Sequence, residues 1–377
     1  MARKVLVNLV SDQTVPSLQF IREFGESDSQ HLFITTNQME KRGCRKWIID
    51  AAGLSDEQLL EPKIINPFSF DEIVKAFDES ELSDDDEYLV NITGGTKLMS
   101  IDCFDFFKTL KSEIFYLTGQ NDFIKLFPGR GEKKPQKLTT QVTLKEYLTC
   151  YGFDIQKESK PKVNKSIIDK FFLSYLKLDH EDHQTISHLR KHRSKKSLKL
   201  DEIEDLSKLL TKLNYENRSQ DNLNKDEIKY LTGDWFEEYI FWKIKEELSL
   251  KEEYIGLGWE LKKSEAPNEF DVLFVFDNRM YTVECKTSIT GEAGKSLIGE
   301  ILYKSDSLQK EFGLYANTSI IALDPPLKDK NGEFISKFKS HYNRAKLNRI
   351  SIISRQDLLN PEISLVSLLG IKVTSSN

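Results

Sequence analysis

A chain of 377 residues, 39% hydrophobic and 30% charged, with only 18 glycines and 10 prolines, holds enough apolar mass for two cores and excludes collagen-like, mucin-like and globally disordered classes. Its apolar runs, such as residues 272–276, fall far short of the roughly 18 residues a membrane helix needs, so a soluble chain is expected. A net charge of -6 gives no global attraction to nucleic acid, and any such contact must come from local patches.

Residues 5–10 are apolar, but Asn8 interrupts the run, Asp12 ends it and no small-residue cleavage site follows, so a first strand is expected rather than a secretory signal. Pro16 then opens a helical stretch with Leu18, Ile21 and Phe24 three apart. A strand at 32–35, a helix at 45–52, a strand at 64–65 and a helix at 70–77 follow. The strand 88–93, a helix from Lys97 and the strand 114–117 complete the series. Strands alternating with helices predict a mainly parallel, doubly wound sheet over residues 1–150, because parallel neighbours need a crossover.

Residues 151–225 are long and polar, with helical spacing at Ile167, Phe171, Phe172 and Tyr175 and again from Ile203 to Leu213. They read as a helical connector. From 226 to 377 a second α/β domain is expected, with a helix through Trp235 and strands at 269–276 and 280–287. Four cysteines (Cys44, Cys103, Cys150, Cys285) form no CxxC pair, which suits neither a disulfide framework nor a zinc knuckle and fits a reducing cytoplasm. Four of six histidines fall at His180, His183, His188 and His192; that segment is so hydrophilic that no metal is assigned to it.

Charge is uneven. Seven of the ten residues 78–87 are acidic, residues 183–200 hold six Lys or Arg and no acid, and residues 328–355 hold eight Lys or Arg against two acids. Either basic stretch can track phosphates, or simply be a solvated face.

The strongest chemical signal is Asn268, Glu269, Phe270 and Asp271, then an apolar run, a turn at Asp277, Asn278 and Arg279, and Val283, Glu284, Cys285 and Lys286. Alternate strand residues share a face, so Glu284 and Lys286 project together, and a hairpin would bring Asp271 beside Glu284. A Glu-x-Lys on an exposed strand is usually a surface ion pair. Here the charges abut buried-type strands, where they are costly without a task. Phosphodiester hydrolysis needs an activated water and relief of an anionic transition state, which a hard divalent cation on oxygen ligands supplies. Asp271 and Glu284 would hold the ion, Mg2+ or Mn2+, and Lys286 would polarise the water and offset the growing charge.

Over residues 230–320 these motifs resemble the PD-(D/E)xK nuclease superfamily, with Phe270 where the pattern has proline. The resemblance implies a restriction-endonuclease-like α/β/α fold. It makes Glu237, on the helix that begins near Gly233, a further catalytic residue and metal ligand, with Glu238 the next choice.

A second signal is the strand 88–93 followed by Gly94, Gly95, Thr96, Lys97 and a helix. Paired glycines admit a ligand close to the backbone, and a helix N-terminus favours an anion. The loop is neither a Walker A nor a GxGxxG fingerprint. In an open α/β sheet ligands bind beyond the carboxyl ends of the strands, where Ser11, Asp12 and Gln13 also fall. With Ser11, Asp12, Gln13, Thr36, Thr93, Gly94, Gly95, Thr96 and Lys97 in these loops, residues 1–150 resemble a CARF domain, the sensor of cyclic oligoadenylates in type III CRISPR defence. Joined to the nuclease motifs, the whole chain resembles a CRISPR ancillary nuclease of the single-CARF type. That resemblance implies a homodimer that binds cyclic tetra-adenylate across its two-fold axis, and the expected reaction is cleavage of DNA, with RNA left open as a second substrate. The sequence holds no base-reading module such as a zinc finger or an RNP motif, so little sequence preference is expected. Two alternatives stay open: a ligand-responsive nucleic-acid-binding regulator with an inactive nuclease fold, and an ungated repair or restriction nuclease.

Overall fold

In the computed structural model the chain is described over residues 2–78, 82–129, 133–263, 266–289, 297–314 and 316–372; residues 79–81 of the acidic run lie outside that set. Seven strands, β1 (Lys4–Leu9), β2 (Gln30–Thr35), β3 (Lys63–Ile64), β4 (Glu87–Asn91), β5 (Ser112–Leu117), β6 (Asp122–Phe127) and β7 (Gln136–Lys137), form the first sheet. Their order is β3-β2-β1-β4-β5-β6-β7, parallel through β5 and antiparallel beyond it. Val5, Val7 and Leu9 bury one face against Ile73, Phe77, Met99 and Phe107, whereas Leu6 packs with Phe20 on the other. A parallel sheet covered on both sides explains why β1 is apolar on both faces from Val5 to Leu9, Asn8 apart. The doubly wound fold expected from the sequence is present. The buried residues Asn8 and Asn91 sit side by side in register, and Asn91 Nδ2 donates to Asn8 Oδ1 at 3.0 Å.

Six further strands, β8 (Asp154–Ser159), β11 (Ile255–Lys262), β12 (Asn268–Phe276), β13 (Arg279–Ser288), β14 (Asn317–Asp324) and β15 (Ile350–Ser354), make the second sheet; β9 (Ser197–Lys199) and β10 (Asn222–Asn224) form a separate two-stranded ribbon. The order is β15-β14-β13-β12-β11-β8, with β13, β14 and β15 parallel and the rest antiparallel. One face carries Val272, Phe274, Val283 and Ile321 and packs on Trp235, Phe236 and Ile240. The opposite face divides: Ile320 and Ala322 bury against helices Ile298–Gln309 and Ser336–Leu347, while Leu273, Val275 and Met280 bury against Tyr147 and Leu148 of the first half.

The segment expected as a connector does form helices Lys165–Tyr175, His180–Arg190 and Leu206–Lys212. It also supplies β8 at the edge of the second sheet, and Ile168, Phe171, Phe172, Ile186 and Leu189 share one core with Trp235 and Val283. The packing therefore makes this segment a layer of the second body. All four cysteines are buried and unpaired. No helix among the described residues is long and apolar enough to cross a membrane.

Candidate functional site

β12 and β13 are joined by the two residues Asp277 (φ 49°) and Asn278 (φ 58°), the left-handed pair a tight hairpin turn requires. The register Val272 opposite Val283 places Asp271 across from Glu284, on one face. There the ladder opens. The buried Asp271 carboxylate takes over from the missing backbone partner: its Oδ2 accepts from Cys285 N at 2.7 Å and from Lys286 Nζ at 3.1 Å. Lys286 Nζ also lies 2.6 Å from Glu284 Oε1. Asp271, Glu284 and Lys286 thus converge as the sequence led us to expect. Side-chain exposure rises from 11% at Asp271 through 17% at Glu284 to 29% at Lys286, so the group opens to solvent on the lysine side. Phe270, Thr282, Lys304 and Ser305 line the same cleft with Asp271 and Glu284.

Burial, and then the charge of Glu284, pushes the Asp271 carboxyl up to about 6, against the opposing pull of Lys286. Burial works to lower the Lys286 ammonium, but Asp271 and Glu284 outweigh it and hold it above its ordinary value. Glu237, half-buried in the first turn of helix Trp235–Glu247, is pushed up to about 9 by burial, then by the charges of Asp271 and Asp234. Glu238 turns away and accepts from Val163 N at 2.8 Å, which leaves Glu237 as the carboxylate of that helix directed at the site. Among the described residues no three His, Cys, Asp or Glu side chains already surround one point as a metal cage. Asp271 and Glu284 instead close on the Lys286 ammonium, and Glu237 joins them through its charge. The donor set nevertheless fits a hard divalent ion: every candidate ligand is a carboxylate oxygen, and the three carboxylates outnumber the one ammonium that Asp271 and Glu284 contact.

Cations that the sequence reading did not assign to the site come from residues 151–225. Arg190 Nη2 reaches Thr287 Oγ1 at 3.1 Å and Thr232 O at 3.5 Å. Arg193 Nη2 lies 3.1 Å, and Lys162 Nζ 3.5 Å, from the two oxygens of Asp234. The acid-free run 183–200 was the available signal. Its destination was hidden because the run lies nearly 100 residues from β13. Tyr303 and Lys304 are on helix Ile298–Gln309, where Lys304 lines the cleft and Tyr303 is 68% exposed. Gln309, the last residue of that helix, donates to Ala316 O at 3.0 Å.

In the first sheet, β2, β1 and β4 are neighbours, and the chain order reverses between β1 and β4, the position where such sheets bind ligands. Ser11, Asp12 and Gln13 follow β1, Thr36 follows β2, and Thr93, Gly94, Gly95, Thr96 and Lys97 follow β4, so all nine expected ligand residues gather at one edge. A Cβ on Gly94 would sit 2.1 Å from Leu9 O; only glycine lets the two loops approach this closely. Gly95 has φ +75°. Thr96 caps helix Lys97–Phe107, accepting from Met99 N at 3.3 Å, and Thr36 caps its own helix in the same way. Thr93 Oγ1 accepts from Leu117 N at 2.8 Å, a tie between β4 and β5. Gly95 and Lys97 are exposed.

Two bridges join the first half of the chain to the second, and one of them starts in these loops. Gln13 Oε1 accepts from Leu314 N at 2.9 Å and from Tyr151 Oη at 3.2 Å. At the hairpin turn, buried Asn278 accepts from Val142 N at 2.6 Å and donates to Asn121 Oδ1 at 2.6 Å and Thr140 O at 3.0 Å.

Residues 5–147 match the family model of the Card1 CARF domain, and residues 224–358 match that of the Card1-like endonuclease domain. Among solved structures, Can2 from Sulfobacillus thermosulfidooxidans in complex with cyclic tetra-adenylate matches with TM-score 0.71 and 20% identity, over 94% of this chain and 96% of that one. Protein VC1899 from Vibrio cholerae matches with TM-score 0.73 and 15% identity, over 94% and 95%. A type III CRISPR defence DNA nuclease activated by cyclic oligoadenylate matches with TM-score 0.52 and 14% identity, over 91% of this chain but 52% of that one. At these identities the structural likeness shows the fold. A comparison with curated proteins finds no match. The two family models follow the two sheets in order along one polypeptide and together span most of it: the chain is a Card1-type CARF domain followed by a Card1-like endonuclease domain.

Proposed function

We propose that this chain is a metal-dependent endonuclease that acts as a homodimer and is switched on by a cyclic oligoadenylate, cyclic tetra-adenylate in particular. One observation carries the catalytic part: Asp271 Oδ2 and Glu284 Oε1 close on Lys286 Nζ at 3.1 and 2.6 Å, with exposure rising toward the lysine. Asp271, Glu284 and Glu237 would hold Mg2+ or Mn2+, which when bound lowers the pKa of a water and screens phosphoryl charge. Lys286, held charged by its two carboxylates, orients that water and stabilises the oxygens that become more negative during displacement.

The activator reading is supported by the gathering of nine loop residues at the switch point of the first sheet and by the Can2 structure, which holds cyclic tetra-adenylate. A ring with two-fold symmetry suits two identical sets of loops. The hydrogen bond from Leu314 N to Gln13 Oε1 gives ligand-loop movement a direct route to helix Ile298–Gln309, whose Lys304 and Ser305 line the cleft.

The test is cleavage of labelled plasmid DNA, single-stranded DNA and RNA by the purified chain with Mg2+ or Mn2+, with and without cyclic tetra-adenylate. Cleavage that needs both ion and ligand is the expected result. No cleavage under any condition would make the chain a binding protein, and equal cleavage without ligand would make it an ungated nuclease.

A further inference from the structure

Helix Ser336–Leu347 lies within a stretch, residues 334–356, that contains no Asp or Glu in a chain of net charge -6. Its inward stripe is Phe338 and Ala345, seven residues apart and buried with Ile298, Leu302, Ile320 and Ala322. At 3.6 residues per turn, Lys337 and Arg344 run along one flank of that stripe, and Lys339 and Lys346 along the other. The small polar residues Ser336, Ser340 and Asn343 form the outer ridge between them, with the exposed Leu347 at its end. All four cations are exposed, as is Arg349 just beyond the helix. Among the described residues the salt bridge of this stretch is Arg355 with Asp324, which leaves those five cations without a carboxylate partner there. Lys337 Nζ rests 5.6 Å from the ring centre of Phe338.

The placement is as telling as the charge. Ile320 is the register neighbour of Glu284 and Ala322 that of Lys286, so the helix covers the sheet face from which the catalytic pair projects. Helix Ile298–Gln309 packs against it; the His341 ring lies 3.4 Å from where a Cβ on Gly299 would stand. A polyanion lying along the outer ridge therefore runs beside the helix that carries Lys304 and Ser305 into the cleft.

We propose that the outer face of helix Ser336–Leu347 is the docking surface for a duplex DNA substrate, each cationic flank following one phosphate backbone. The inference rests on the nuclease reading above. Two rows a helix diameter apart, about 10–12 Å, match the walls of a B-form major groove about 12 Å wide. A single strand has one backbone and leaves a flank idle, and the major groove of an RNA duplex is too deep and narrow to admit a helix. The short hydroxyl and amide groups of the ridge make few base contacts, so the surface holds DNA by its backbone.

The test uses the full chain carrying Asp271→Asn, so that binding is read without cleavage, by fluorescence anisotropy against a labelled duplex of about 30 base pairs, its single strand and the matching RNA duplex. Adding Lys337→Gln, Lys339→Gln, Arg344→Gln and Lys346→Gln should weaken duplex DNA binding at least about tenfold and flatten the log K against log salt slope by about 3 to 4, at roughly 0.9 per phosphate contact. Changes below about threefold are expected for the single strand and the RNA duplex. The two single-flank pairs should lose similar amounts, with thermal melting unchanged. Unchanged duplex affinity and slope would overturn the proposal, as would equal losses on all three nucleic acids. A chain with Asp271 intact that cleaves nothing with Mg2+ or Mn2+ and ligand would sink the nuclease reading separately.

Discussion

Lys286 divides its ammonium between Asp271 and Glu284, and the proposed chemistry needs that charge late in the reaction. Lys286→Ala should lower cleavage by about a hundredfold or more, while Mn2+ affinity measured by calorimetry changes far less. A parallel loss of metal would instead make the residue a structural support for the site. The carboxylates set the pH dependence. Burial and mutual repulsion raise Asp271 to about 6 and Glu237 to about 9, so below those values each keeps a proton that an incoming ion must displace. Metal affinity should therefore climb as pH rises from 6 to 9, and Glu237→Gln should remove the upper part of the climb; a flat profile over that window would contradict the assignment. His31 works in the opposite sense. It is 1% exposed, and burial lowers its pKa to about 4. The unfolded chain thus binds a proton near pH 6.5 that the folded chain refuses until about 4, so stability is lost as pH falls through that range, on the order of 3 kcal/mol in full. His31→Gln should flatten that part of a denaturant-melt series against pH.

The hairpin of β12 and β13 is the element on which the site depends, and it was the most legible in the sequence. An apolar run, a polar three-residue break and a second run fix its register, and with it the convergence of Asp271 and Glu284. Other elements were harder to see, each for a physical reason. β8 is a polar edge strand, Asp154–Ser159, whose partner lies some 100 residues away. β11 contains two glycines, and Gly258 has φ +58°, which breaks the alternation that marks a strand. In helix Lys165–Tyr175 the sequence spacing pointed to Ile167, which is 51% exposed, whereas Ile168 is fully buried; one residue of phase is 100° of rotation. Choosing between Glu237 and Glu238 was the same problem. The turn itself yields a prediction. Asn278→Ala deletes three hydrogen bonds and leaves the Val142 N–H buried without a partner, a loss on the order of 3 kcal/mol that a urea melt would measure.

For the whole molecule, the domain order, the doubly wound sheet and the clustering of ligand loops were readable from alternation and turn chemistry. The route between the halves was not, because it runs through single hydrogen bonds rather than through patterned segments. Gln13 was read as a ligand residue, and the structure also makes it the acceptor for Leu314 N. Leu314→Pro removes that donor. Its expected signature is cyclic tetra-adenylate binding within about twofold of the unaltered chain, with ligand-stimulated cleavage reduced about tenfold or more. Full stimulation in this variant would move the coupling to the hairpin turn or to contacts with the second copy of the chain proposed above.

Tyr147 and Leu148, from the first half, are sealed under Leu273, Met280 and Phe312 of the second in one apolar cluster, and Asn278 is pinned within residues 121–142. Severing the backbone near residue 150 would strip oil-like surface bare on both fragments. The polypeptide should accordingly melt in a calorimeter as one endotherm, and neither isolated fragment should stay in solution without the other.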